Sequence, residues 1–277
     1  MNTIVLAGTT LSVSRLGLGT ASLHHLLWSS ERMQLLKTAL DCGISHFDTA
    51  RMYGEGLAER ELGRFLTGGR QRVTIGTKFG LPAVSVLEQF PAILYAHRAV
   101  GRIAGRVAPT WGKRKRFVTR AGVMESLEQS LRALRTDYLD IFFLHDPCEA
   151  DGRMEDTVAY LDRQKRGGRI RYLGLAGEAS ECLAFARWAG GVFEVLQVRD
   201  SLENREADCL IEAGKRLQIT YGYVRAAREA ARVAADIREV IGKALERTEE
   251  GMILVSSKKA SRLRALAEIE GQKDSAQ

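Results

Sequence analysis

The stretch SHFDTARMYGEG, residues 45–56, decides how the chain folds. A short apolar run ends on Asp48, two glycines (Gly54 and Gly56) follow, and the helical pattern LAERELGRFL begins at once. Strand, glycine turn and helix in immediate succession make a βα unit. Asp48 and Tyr53 lie five residues apart in it. They are either a catalytic pair or a strand end followed by a turn, and one unit alone leaves both readings open.

The same rhythm runs outward in both directions. A hairpin (TIVL, turn AGTT, LSV) precedes RLGLGT at 15–20 and a helix predicted near 31–42. SHFDT leads to a helix near 57–67, and VTIGTKF at 73–79 to one near 122–135. YLDIFFLH at 138–145, RYLGLAG, FEVLQV, QITYGY and MILVSS then precede helices near 154–167, 180–189, 203–215, 225–247 and 260–270. Parallel strands need crossover connections, so eight alternating units predict a closed (β/α)8 barrel, an α/β fold of the TIM type. An open dinucleotide-binding sheet is disfavoured, because no G-x-G-x-x-G follows the first strand and no phosphate-binding G-x-x-x-x-G-K-[ST] occurs. Residues 1–277 read as a single barrel domain, with a basic insert at 87–120 after the third barrel strand.

Composition fits this reading. The 277 residues are 45% hydrophobic, with 27 Gly and 4 Pro, which suits one large core. No apolar run approaches the roughly 18 residues of a transmembrane helix. The N-terminus lacks the pattern of a secretory signal, so a cytoplasmic protein with no integral membrane association is expected. Cys42, Cys148, Cys182 and Cys209 form no CxxC pair, and no metal site is expected. Net charge is +7, yet residues 89–124 carry eight Lys or Arg and no Asp or Glu. A near-neutral body with one basic segment argues against a nucleic-acid-binding fold.

In a (β/α)8 barrel, chemistry sits at the C-terminal ends of the strands. The second strand ends at Asp48 with Tyr53 just beyond, the third at Lys78, the fourth at His145. Singly, each has an ordinary explanation: a turn acceptor, a solvated charge, a hydrogen-bonded histidine. Together, at equivalent places in adjacent units, they suit proton donation to a carbonyl oxygen. A tyrosine hydroxyl ionises near pH 10. A buried Lys78 ammonium would ease its proton release, Asp48 would hold that ammonium charged, and His145 would orient the oxygen. These residues carry no redox group, so reduction would need a hydride-carrying cofactor.

These residues sit in stretches that resemble the aldo-keto reductases over essentially the whole length: VSRLGLGT, GISHFDTARMYGEGLAERELG, TKFG, LRTDYLDIFFLHDP, GGRIRYLGLAG and EVLQV. The resemblance implies a barrel whose bottom is closed by the N-terminal hairpin. It implies reduction of an aldehyde or ketone to an alcohol, or the reverse, with NADPH or less often NADH. It makes Tyr53 the proton donor, supported by Asp48, Lys78 and His145, and so favours the catalytic pair. It also places Gly19 and Thr20 near the nicotinamide ribose, counts Asp48 among the cofactor-binding residues, and puts Gln197 on the carboxamide and Tyr221 against the nicotinamide ring. Ser256, Ser257 and Arg262 fall at the adenosine 2′-phosphate, where an arginine favours NADPH.

Some positions depart from the family pattern. Ala176-Gly177 stands in place of Ser-Asn, Gly222-Tyr223-Val224 in place of Ser-Pro-Leu, and Leu266 in place of an asparagine. The tail EGQKDSAQ is too short for the C-terminal substrate loop of many relatives. Weaker cofactor binding and a pocket open on one side are the expected consequences.

Within the basic insert, Phe90, Ile93, Leu94, His97, Val100 and Ile103 recur at helical spacing, with Arg98, Arg102 and Arg106 on the other side. A packed lid, a surface recruiting an anionic or carrier-bound carbonyl substrate, and an acidic-membrane contact are the competing readings. Two functions follow: an NADPH-dependent carbonyl oxidoreductase, or a nicotinamide-nucleotide-binding sensor or partner subunit with little turnover.

Overall fold

The computed structural model of the protein describes residues 1–81, 116–148, 154–230 and 236–273. An antiparallel hairpin comes first, β1 (Thr3–Val5) with β2 (Ser12–Ser14). Then follow β3 (Leu16–Gly19), β4 (His46–Asp48), β5 (Thr74–Phe79), β6 (Leu139–His145), β7 (Ile170–Gly177), β8 (Val195–Arg199), β9 (Ile219–Tyr221) and β10 (Met252–Val255). These eight pair in parallel, each with the next, and β10 closes the ring on β3. The closed barrel expected from the alternation is therefore present.

Helices cover the outside: α1 (Ser29–Asp41), α2 (Leu57–Phe65), α3 (Arg120–Leu134), α4 (Glu155–Arg166), α5 (Ala179–Trp188), α6 (Asp208–Glu212), α7 (Tyr223–Ala230), α8 (Ile237–Arg247) and α9 (Ala260–Lys273). The strands are apolar on both faces because one face meets these helices and the other fills the barrel. Inside, Leu6, Leu11 and Val13 of the hairpin pack with Ile141, Phe143, Val195, Ile219 and Met252. The hairpin thus plugs the end of the barrel opposite the strand C-termini. Phe143 is accommodated by glycine on both flanking strands. A Cβ at Gly174 would lie 2.4 Å from its ring, and one at Gly76 2.8 Å.

Two helix expectations are corrected. The helix predicted over 203–215 shrinks to α6. Upstream, the Ser201 hydroxyl accepts from the Asn204 N–H and donates to Glu206, while Asp200 Oδ1 accepts from the Ala207 N–H. Side chains that satisfy local backbone groups compete with helix there. The single helix predicted over 225–247 is two, α7 and α8. Asp236 starts the second as an N-cap, accepting from the Arg238 N–H at 2.8 Å.

Most of the basic insert 87–120, with its expected amphipathic helix, lies outside the described residues. Its return is described: the Phe117 N–H donates to the Gly80 carbonyl at 2.9 Å. Chain re-enters beside the end of β5, on the face where the strands terminate.

Candidate active site

The loop after β4 delivers Tyr53. Gly54, Glu55 and Gly56 all take left-handed backbone angles (φ 63, 54 and 86°), reversing the chain straight into α2. A Cβ at Gly54 would meet His24 Cβ at 2.7 Å, so this turn needs glycine. Buried Arg51 and Glu59 tie the loop down: Arg51 Nη1 donates to Glu59 Oε2 at 2.9 Å. The other Glu59 oxygen accepts from Thr77 Oγ1 at 2.6 Å, one residue before Lys78.

The structure brings Asp48, Tyr53, Lys78 and His145 together. Lys78 Nζ forms a short ion pair with Asp48 and donates to the Thr49 carbonyl at 2.9 Å. The same ammonium lies 4.9 Å from the centroid of the Tyr53 ring. The rings of Tyr53 and His145 meet edge to face, centroids 6.3 Å apart. Burial pushes the Asp48 carboxyl up and the Lys78 ammonium down, and each partner's charge opposes the other's shift.

Burial, then the charges of Asp48 and Asp146, push the Tyr53 hydroxyl well above its ordinary value. This qualifies the expectation that Lys78 eases proton release. The ammonium faces the ring and is bonded to Asp48 and Thr49, so Tyr53 stays protonated in this state, the form a general acid requires. Burial, with Lys78 and Arg116, lowers His145 to about 3, leaving a neutral imidazole that can donate one hydrogen bond.

A cavity of about 670 Å³ opens over these groups. Gly19, Gln197, Tyr221, Ser256, Ser257 and Arg262, all named from the sequence, line it. Gln197 hydrogen-bonds the Asp48 carboxylate, and its buried Oε1 has no partner among the described residues. That oxygen is free to accept from a ligand amide. Thr20 does not line the cavity; its buried hydroxyl donates to the Asp48 carbonyl at 3.0 Å and positions the strand end instead. The hydroxyls of Ser256 and Ser257 donate to the carbonyls of Gly19 and Lys259, each at 2.9 Å. Arg262 is then the cationic donor of that trio.

Sequence reasoning missed Asp146 and the cavity-lining Arg225, Arg228 and Arg238. Asp146 directly follows a strand-end histidine, which was a usable signal. The arginines belong to α7 and α8, whose boundary no pattern marked.

The site also predicts acid sensitivity. His46 is fully buried with Nδ1 2.8 Å from Thr74 Oγ1, and burial followed by Lys78 lowers it to about 3, as in His145. Between about 6.5 and those values only the unfolded chain binds the two protons, so stability rises with pH. It is complete above about pH 6.5. It is lost on acidification by about 1.4 kcal/mol per histidine per unit. Asp48 and Asp146, raised by burial, oppose part of this slope. Urea unfolding between pH 7 and 4 measures it, and His46→Asn should flatten it.

A strand-end Asp, Tyr, Lys and His around a barrel-mouth cavity is the arrangement that the sequence resemblance implied, and the family profile described as "Aldo/keto reductase family" matches residues 15–211. The chain belongs to the aldo/keto reductase family. D-threo-aldose 1-dehydrogenase of a Pseudomonas species is 30% identical over 186 residues, 65% of this chain and 55% of that protein. Pyridoxal 4-dehydrogenase of Microbacterium luteolum is 31% identical over 231 residues, 76% of this chain and 61% of that protein. The chain thus spans little more than half the length of these curated relatives. Among solved structures, an aldo-keto reductase of Klebsiella pneumoniae in complex with NADPH has a TM-score of 0.64 at 19% identity, covering 97% of this chain and 90% of that one. At that identity the likeness shows the fold. Among the described residues, no helix is long and apolar enough to cross a membrane.

Proposed function

We propose that this aldo-keto reductase interconverts an aldehyde or ketone with its alcohol, using NADPH, with Tyr53 as the proton donor. The observation that carries the reading is the convergence of Tyr53, Asp48–Lys78 and His145 on one cavity wall beside the unpartnered Gln197 oxygen. The cavity's chemistry fits a nicotinamide dinucleotide phosphate. Gln197 Oε1 would accept from the carboxamide, the Tyr221 ring would lie against the nicotinamide, and Arg262 would meet the 2′-phosphate. When bound, that cofactor supplies or takes up the hydride at the carbonyl carbon.

The chain's own residues handle the proton. His145, neutral, donates to the substrate oxygen and fixes its place. As that oxygen gains negative charge, Tyr53 gives it the hydroxyl proton. The phenolate left behind forms with the Lys78 ammonium against its ring, and Asp48 keeps that ammonium in place. In the alcohol-oxidising direction the same groups run in reverse.

The substrate is proposed as a small carbonyl compound. An anionic or carrier-bound substrate rests on the basic insert, most of which lies outside the described residues. Asp146 in the cavity counts against an anionic group beside the reacting carbon. NADPH or NADH oxidation with a panel of aldehydes and ketones tests the reading. Tight cofactor binding with no turnover of any carbonyl would favour the sensor alternative, which the missing Ser-Asn pair at 176–177 motivates.

The cofactor choice is separately testable. Arg262→Ala is expected to weaken NADPH binding by about tenfold, the lower range for a hydrogen bond to a charged group at an exposed position. NADH binding should not change. Quenching of intrinsic fluorescence by each nucleotide reads both.

A further inference from the structure

We propose that Asp146 is a specificity-determining residue, accepting a hydrogen bond from a substrate hydroxyl on the carbon next to the reacting carbonyl. The site then prefers 2-hydroxycarbonyl compounds. The inference rests on the carbonyl-reductase reading of the cavity and names its substrate class.

Asp146 follows the catalytic histidine directly, and its conformation is held rather than incidental. Its backbone is left-handed at φ 48°, a conformation that Asp adopts more readily than most residues with a side chain. Here the Asp146 N–H donates to the Ala176 carbonyl at 2.7 Å. That bond fixes the residue at the end of β6 with its carboxylate in the cavity, the side chain 57% exposed.

The neighbouring strand leaves room for it. A Cβ at Gly177 would lie 3.2 Å from both Asp146 Cα and Oδ1. The asparagine that the family pattern places there would crowd the carboxylate. Glycine therefore does more than remove an amide from the site: it clears the space in which Asp146 stands.

The carboxylate is available and aimed. Among the described residues no N–H or O–H donates to it, and Asp146 Oδ2 lies 4.0 Å from His145 Nε2. Two vicinal oxygens on a substrate can take one group each: the carbonyl oxygen on His145, the hydroxyl on Asp146. An ionised carboxylate only accepts, so the ligand must bring a donor. Arg116 and Lys78 are opposed there by Glu181 and Glu178, so the surroundings select neither sign, while the carboxylate itself disfavours an anion and calls for a donor. A neutral hydroxyl satisfies both.

The test uses two aldehydes that differ by one hydroxyl, glycolaldehyde and acetaldehyde, with the full-length protein and NADPH. Wild type should prefer glycolaldehyde in kcat/KM. Asp146→Ala should lose about 10–100-fold of that preference, the range for a hydrogen bond to a charged group, read as the ratio of the two aldehydes so that any change common to both cancels. Asp146→Asn keeps an acceptor oxygen and should retain part of it. An unchanged glycolaldehyde-to-acetaldehyde ratio in Asp146→Ala overturns the inference while leaving the enzyme reading intact. If wild type reduces neither aldehyde, saturation-transfer NMR decides on Asp146 independently of the enzyme reading, which the wider carbonyl panel tests. There, NADP⁺-loaded wild type should bind 1,2-propanediol in preference to 1-propanol, and Asp146→Ala should not. Absence of that preference in wild type, or its survival in the variant, contradicts the role.

Discussion

Tyr53→Phe is expected to lower kcat for carbonyl reduction by about 10²–10⁴-fold, the usual contribution of a positioned general acid. The change removes one oxygen and keeps the ring. The edge-to-face contact with His145 and the Lys78 contact at the ring face survive, so the cavity should keep its shape. NADPH affinity should stay near wild type, because no cofactor contact is assigned to the hydroxyl. Steady-state kinetics beside fluorescence titration separates the two effects. A variant that keeps wild-type kcat would remove Tyr53 from the mechanism. A variant that loses cofactor binding would show the residue to be structural instead.

The second large effect is on stability. Glu59→Ala is expected to cost about 3–5 kcal/mol, the range for breaking a buried ion pair from one side. Glu59 is fully buried and its two oxygens are divided between Arg51 and Thr77. Removing it leaves the Arg51 guanidinium inside without that carboxylate and strips the Thr77 hydroxyl of its acceptor. Glu59→Gln keeps the acceptor for Thr77 and should fall between the two. Because Arg51 is in the Tyr53 loop and Thr77 precedes Lys78, the loss should also loosen the catalytic geometry. Denaturant unfolding measures the first effect, and activity well below the melting transition measures the second. A Glu59→Ala protein as stable as wild type would mean that the loop is held by other contacts.

The barrel was legible because its signal is periodic. Eight apolar runs, each followed by a helical pattern, leave few topologies, and the closing pair of β10 with β3 follows once parallel neighbours are required. Asp48, Lys78 and His145 were legible for a related reason: an apolar strand that ends on an ionisable group makes poor sense as packing. Local chemistry defeated the pattern elsewhere. The run 203–215 has helical composition, yet Ser201 and Asp200 capture the backbone groups that a longer helix would use. The bond from the Thr20 hydroxyl to the Asp48 carbonyl was likewise not legible. The place of Asp146 after His145 was a usable signal, but its orientation was not legible, since that depends on a left-handed backbone and on the space at Gly177. Burial also raises the Tyr53 hydroxyl, which the sequence did not display. Proximity of Lys78 was readable, whereas the depth of burial at Tyr53 was not.

The most direct test of the account follows the hydride itself. NADPH with both C4 hydrogens of the reduced ring replaced by deuterium is incubated with the wild-type protein and a small aldehyde, and the product alcohol is analysed by mass spectrometry. The account predicts one deuterium on the carbinol carbon, with both product and label transfer strongly reduced in Tyr53→Phe. NADPH consumed without label in the alcohol, or no alcohol formed with any carbonyl while the cofactor remains bound, would contradict it.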